Sequence, residues 1–228
     1  MRKIIVAAFV SVDGVMQAPG GPDEDPTGGF TFGGWTHPLW DDQGRAAMGE
    51  LFERPFDLLL GRKTYDIFAA HWPFVPVEPT APGYEPFNAA IAQRFNALTK
   101  YVATHRPESL VWQNSEALGS DVVARLRVLK AGDGPALLTQ GSSELLQTLF
   151  AHDLVDELRT LTFPLLLGRG KRLFGGTALP AALELSQSAS TPSGIVISRY
   201  QRGGAVKTGS FALEQPTPAE LERRKNLK

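Results

Sequence analysis

The 228-residue chain contains no cysteine. That single absence excludes disulfides, thiolate nucleophiles and sulfur-ligated zinc or iron, and it makes a cytoplasmic setting the expected one. Histidine is also scarce. His37, His71, His105 and His152 stand apart in sequence without H-x-x-H or H-E-x-x-H spacing, so no metal site is expected. There is little charge to spare either: 23 Lys and Arg against 24 Asp and Glu leave a formal net charge of -1. Such a balance gives no field with which to hold nucleic acid or an anionic membrane surface. No apolar run approaches the ~20 residues that span a bilayer. The opening Met1-Arg2-Lys3 and the apolar residues 4–10 superficially resemble a signal peptide, but the run stops at Ser11-Val12-Asp13-Gly14 without a small-x-small cleavage pattern. A first strand is the expected reading, and a small molecule the expected partner.

What the chain does have is 43% hydrophobic residues, enough for one substantial core. Residues 4–10 are β-branched and almost continuously apolar, as in a central strand covered on both faces. Between 14 and 34 lie seven glycines, Pro19, Pro22, Pro26 and the acidic Asp23-Glu24-Asp25, which predict a long mobile lid that buries little. The acidic triplet has too few ligands for a calcium loop and reads as solvated. Helical spacing of Met48, Leu51 and Phe52 predicts a helix over 41–54. Strand 57–61 and helix 62–70, with Tyr65, Ile67 and Phe68 on one face, form a βα unit.

A proline-rich loop at 72–86 leads to a helix through Ile91 and Phe95, then to strands at 100–104 and 110–113. Ser120 is expected to cap a helix bearing Val122, Leu126 and Leu129. Strand 135–140, the turn Gly141-Ser142-Ser143 and helix 144–151 complete a βαβαβ order, which implies a parallel sheet with right-handed crossovers. Beyond Asp153, strands at 157–164, 183–189 and 195–201, with Thr191-Pro192-Ser193-Gly194 as a hairpin loop, predict an antiparallel section. The expected fold is therefore a single α/β domain over 1–203 with a mixed, mainly parallel sheet. A tail at 204–228 ends in a short helix, where Thr217 caps, Pro218 takes the first position, Glu220 closes a capping box and Lys225 and Lys228 meet the dipole.

Two strand-to-helix turns carry the chemistry: Gly61-Arg62-Lys63-Thr64 and Gln140-Gly141-Ser142-Ser143. A helix start offers unpaired N–H groups and a positive dipole end, and glycine lets a phosphate come close to the backbone. Arg62 and Lys63 add cationic donors, and the serines add hydroxyls. Ordinary turn and capping residues would look the same one turn at a time. Two such turns in one parallel sheet say more, because dinucleotides bind across the carboxyl ends of the strands. Neither turn is a G-x-G-x-x-G or Walker loop.

Gly61-Arg62-Lys63-Thr64-Tyr65 after an apolar strand resembles the G-R-x-T-aromatic segment of the dihydrofolate-reductase superfamily, and Gln140-Gly141-Ser142-Ser143 sits where that superfamily has its glycine turn. Leu154-Val155-Asp156-Glu157-Leu158, Phe163-Pro164, Leu167-Gly168-Arg169-Gly170, Leu173-Phe174 and the strand from Gly194 to Tyr200 are similar to the reductase domain of bifunctional riboflavin-biosynthesis deaminase-reductases. The likeness covers about residues 2–202 in consistent order and points to a stand-alone bacterial branch.

The resemblance implies a three-layer α/β/α fold and an NADPH-dependent reductase of a small pterin- or pyrimidine-like heterocycle. Dihydrofolate reductase proper and a non-catalytic nucleotide-binding module are its alternatives. It implies cofactor contacts from Gly61, Arg62, Lys63, Thr64, Gln140, Gly141, Ser142 and Ser143. Thr104, His105 and Arg106 would lie against the adenosine, and Ala8 and Val10 near the nicotinamide. It implies a homodimer as well. A chain without cysteine cannot supply the zinc deaminase of the bifunctional enzymes.

Reduction of an imine nitrogen also needs a proton. Asp41, with Asp42 beside it, and Asp13 are the candidates; a helix start and a turn explain them equally. Trp35, Trp40 and Trp72 flank the cleft in sequence and suit stacking on a flat ring, or burial in the core.

Overall fold

The computed structural model describes residues 1–176 and 178–227. Its eight strands form one sheet in the order β4-β3-β2-β5-β1-β6-β8-β7. They are β1 (Ile4–Ser11), β2 (Phe56–Gly61), β3 (Lys100–Ala103), β4 (Ser115–Ala117), β5 (Ala136–Gln140), β6 (Glu157–Phe163), β7 (Ala182–Ser190) and β8 (Val196–Gly204). Strands β1 to β6 pair in parallel, whereas β8 runs antiparallel to β6 and β7 antiparallel to β8. β1 is central, as its apolar sequence predicts, and lies between β5 and β6.

Alternation along the strands feeds two cores. Ala7, Leu58, Leu60 and Val102 face α1 (Asp42–Phe52), α2 (Arg62–Ala69) and α3 (Pro86–Ala97). Val6, Ala8, Leu59 and Leu137 face α4 (Val122–Ala131) and α5 (Ser143–Ala151). The result is the three-layer α/β/α arrangement, and it brings the ends of β2, β3 and β5 to one edge.

Four expectations need correction. Residues 110–113 are not a strand; pairing with β3 is made by Ser115–Ala117. Only Trp112 of that apolar run is buried, its backbone N–H donating to the Tyr65 hydroxyl at 2.8 Å, while Val111 is 87% exposed. The cap of α4 is Asp121 rather than Ser120, with its carboxylate accepting from Ala124 N at 2.9 Å. The loop over 14–34 is not a segment that buries little: Val15, Met16, Gln17, Ala18 and Phe30 are all buried. Gln17 is the peg, donating to the carbonyls of Asp25 and Thr27 and accepting from Lys171 N. Finally, the tail helix α6 (Pro218–Lys225) has only half a capping box. Thr217 accepts from Glu220 N, but the Glu220 carboxylate turns to Arg223 and Arg224. Lys228 lies outside the described residues. Among the described residues no helix is long and apolar enough to cross a membrane.

Candidate active site

A cleft of about 1180 Å³ opens at the carboxyl ends of β2, β3 and β5. At one end the two strand-to-helix turns lock together. Gly61 N donates to Ser142 Oγ at 2.9 Å, and Ser142 N donates to Thr64 Oγ1 at 2.8 Å. Ser142 is held in the left-handed region at φ 59°, beside Gly141 at φ 63°. A serine pays ~1–2 kcal/mol for that conformation, and the two cross-turn bonds offset it. A Cβ on Gly141 would stand 3.1 Å from Thr64 Oγ1, so glycine is required there for space as well as for φ.

The helices that start at this corner differ from the rest. α1, α3, α4 and α6 are capped by the side chains of Asp41, Glu85, Asp121 and Thr217. Among the described residues, α2 and α5 have no side-chain cap, and residues 62–64 and 143–145 of their first turns line the cleft. Oriented N–H groups of this kind suit an anion.

Thr104, His105 and Arg106 line the same end, as do Arg62 and Lys63. Arg62 is not a free donor. Its guanidinium binds Asp66 at 2.9 Å, the Thr104 hydroxyl at 3.3 Å, the Arg106 carbonyl at 3.2 Å and Ser109 Oγ at 2.6 Å, so it props the loop after β3. Lys63, His105 and Arg106 are exposed. Glu144, in the first turn of α5, brings one negative charge to this end.

The other end is apolar and aromatic. Phe9, Trp40, Phe68, Trp72, Phe87 and Phe95 line it. Trp40 and Trp72 therefore line the cleft, and Trp35 does not. Its indole N–H donates to the Gln17 carbonyl at 2.8 Å and its ring meets Phe163 edge-on at 5.3 Å, so Trp35 anchors the loop. The contribution of β1 is likewise shifted by one: Ala7 and Phe9 line the cleft, while Ala8 and Val10 point into the opposite core with Leu145 and Leu146.

Neither aspartate singled out as a proton donor lines the cleft. Asp41 caps α1 through Gly44 N at 2.8 Å and accepts from Ser193 N at 3.0 Å, bonds that hold its carboxyl well below the usual range. Asp13 takes the Ser11 hydroxyl at 2.6 Å and the amides of Leu167 and Gly168, which lower it to about 2. Both are ionised turn-holders at neutral pH. The acidic triplet behaves differently from its solvated reading. Asp25 is buried enough to raise its pKa, yet bonds from Lys171 and Thr27 outweigh this and lower it. Glu24 lines the cleft, and its burial raises its pKa despite amide bonds from Gly20 and Gly21. Composition alone gave no signal for this, since the burial comes from the way the loop folds back.

The mixed, mainly parallel sheet and the cleft at the carboxyl ends of its strands define a protein of the dihydrofolate-reductase-like fold class. The chain belongs to the RibD C-terminal domain family, whose model matches residues 2–197. It is 23% identical over 207 residues to the uncharacterized protein YyaP of Bacillus subtilis (strain 168), covering 89% of this chain and 96% of that one. Its fold is shared with a deaminase/5-amino-6-(5-phosphoribosylamino)uracil reductase of Thermotoga maritima (TM-score 0.55, 14% identity), of which it spans 56% while 88% of this chain is covered. Dihydrofolate reductase of Enterococcus faecalis, solved with NADP(H), is also similar (TM-score 0.51, 13% identity, 88% of this chain and 96% of that one).

Proposed function

We propose that the protein is an NADPH-dependent reductase of a small, flat heterocyclic substrate. The observation that carries this is the locked corner with two helix starts that no side chain caps. Those N–H groups receive the pyrophosphate, and Gly141, at φ 63° and packed against Thr64, lets the two turns close up into that corner. Lys63 and Arg106, with the His105 ring beside them, stand where a further phosphate on the adenosine side finds cations and a hydrogen-bonding partner, which favours NADPH over NADH. When bound, the reduced nicotinamide supplies a hydride. The aromatic end, with Phe9, Trp40 and Trp72, stacks on the substrate ring and excludes water from it. The cleft exceeds the ~300–1,000 Å³ usual for one ligand, leaving room for cofactor and substrate together.

The test is titration of tryptophan fluorescence, since Trp40 and Trp72 line the cleft. NADPH gives a saturable change and NADH binds at least ~10-fold more weakly; a flat response to both sinks the assignment. NADPH oxidation is then followed at 340 nm with pterins, flavins, quinones and ribosylaminopyrimidines. Turnover of dihydrofolate blocked by antifolates would identify dihydrofolate reductase proper instead. Saturable binding without oxidation of any of them would favour the non-catalytic module.

We also propose that the chain self-associates through β7, the last strand of the sheet. Among the described residues its outer edge has no neighbour in the sheet order, and Leu183 and Leu185 are exposed on it.

A further inference from the structure

A reductase of the kind proposed above needs a proton as well as a hydride, and the two aspartates nearest to that role by sequence are spent as turn-holders. Four other carboxylates line the cleft. Asp25 is bound to Lys171 and Thr27, and Glu85 gives both oxygens to Phe87 N and Asn88 N as the cap of α3. Glu144 sits at the phosphate end, on the first turn of α5. That leaves Glu24. Its Oε2 is fixed by Gly20 N at 2.6 Å and Gly21 N at 3.2 Å, while its Oε1 accepts no hydrogen bond from the described residues. The turn that carries it is braced from behind. Gly33 lies so close to the carbonyls of Gly21 and Pro22 that a Cβ there would stand 2.5 Å and 2.6 Å from them.

We propose that Glu24 is the acid of this cleft, holding a proton on Oε1 and delivering it to the substrate nitrogen. The proposal rests on the reductase reading. The step balances: a substrate C=N bond gains a hydride at carbon, drawn from NADPH as it becomes NADP⁺, and a proton at nitrogen from the Glu24 carboxyl. The resulting carboxylate is reprotonated from water. Burial of Glu24 favours its protonated form. The charges that share the cleft with it do little to reverse this. Asp25 is a like charge, Lys171 is already paired with Asp25, and His37 and Arg45 are exposed.

The experiment uses the full chain, wild type and Glu24→Gln, with Asp23→Asn as an exposed neighbouring control. Tryptophan fluorescence first reads NADPH binding, which Glu24→Gln leaves within about twofold because, among the described residues, Glu24 bonds only to its own turn and to neither strand-to-helix turn. Carbon-13 NMR of protein labelled at the glutamate carboxyls then follows the resonance that Glu24→Gln removes. Its titration midpoint lies above the ordinary glutamate value of ~4.3 and rises further on NADPH binding. With 7,8-dihydropterin as a probe imine, Glu24→Gln lowers kcat by ~10²-fold or more. The wild-type kcat falls as pH rises through the NMR midpoint, a limb that the variant lacks. Failure of wild type to bind NADPH overturns the reductase reading and this proposal with it. Normal NADPH binding with a Glu24 midpoint at or below ~4.3, or with an unaltered pH limb in Glu24→Gln, overturns the role of Glu24 alone. If wild type does not oxidise NADPH with the probe, the NMR midpoint and its response to NADPH decide.

Discussion

Lys100 puts an ammonium group in the core with no carboxylate among the described residues paired with it. Three carbonyls, those of Asn96, Leu98 and Gln113, accept from its Nζ at 2.9–3.0 Å, and the Trp112 ring lies 4.4 Å away. Burial lowers it to about 8, so it stays charged at neutral pH. Replacing it with Met strands three carbonyls and is expected to cost about 3 kcal/mol in urea unfolding. The pH dependence has a definite sign. The folded form gives up its proton near pH 8 and the unfolded form near ~10.4, so between those values the unfolded chain binds more protons. Stability conferred by Lys100 therefore rises with pH across that window, and wild type minus Lys100→Met should show the slope.

Glu144 gives the opposite kind of prediction. A carboxylate in the first turn of α5 suits the helix dipole but repels a phosphate at the same turn. Glu144→Gln is expected to tighten NADPH binding about two- to fivefold, an effect that shrinks in high salt. Unchanged affinity at low salt would place the phosphates elsewhere.

At the level of elements, Arg62 ties the start of α2 to the loop after β3 through Thr104, Arg106 and Ser109. Arg62→Ala should release that loop and weaken NADPH more than NADH, narrowing the preference by about tenfold. Arg62→Lys should not rescue it, because an ammonium cannot reach several acceptors with a planar fork. Gly141→Ala is expected to be harsher. It forces an L residue to φ 63° against Thr64, so both unfolding free energy, by ~1–2 kcal/mol, and cofactor affinity should fall together.

These same elements show how far a sequence speaks for itself. The βα units and the two turns were legible because β-branched runs, helical spacing and glycine are local signals. The 110–113 assignment failed because the Trp112 side chain is apolar to pack against Tyr65, Asn96 and Lys100 rather than on a strand face. Ala8 and Val10 were assigned to the cleft, but pleat parity decides which residues face it and an unbroken apolar run conceals parity. Glu24 was invisible because its burial depends on Gln17 and Trp35 drawing the loop inward, a contact set that no short window contains.

For the molecule as a whole, the exposed β7 edge gives the self-association proposal its test. Leu185→Lys should shift the chain to monomer in sedimentation velocity while leaving NADPH affinity unchanged, since four strands lie between β7 and β2. A wild-type chain that sediments as a monomer at all concentrations would remove that proposal. The loop over 14–34 has a different consequence at this scale. It is stitched to residues 165–173 through Asp13, Gln17 and the Lys171–Asp25 pair. Opening of the cleft on that side must therefore move two chain segments as one piece.

The bond between Gly61 and Ser142 joins positions 81 residues apart. A nascent chain cannot complete the locked corner between the two turns until its second half has emerged and docked, so any ligand that needs this corner must wait for the finished sheet. Ligand binding should thus serve as a late clock for folding. The lock also spans two distant codons: the hydroxyls of Thr64 and Ser142 each hold a backbone N–H of the other turn, so loss of either loosens the same corner.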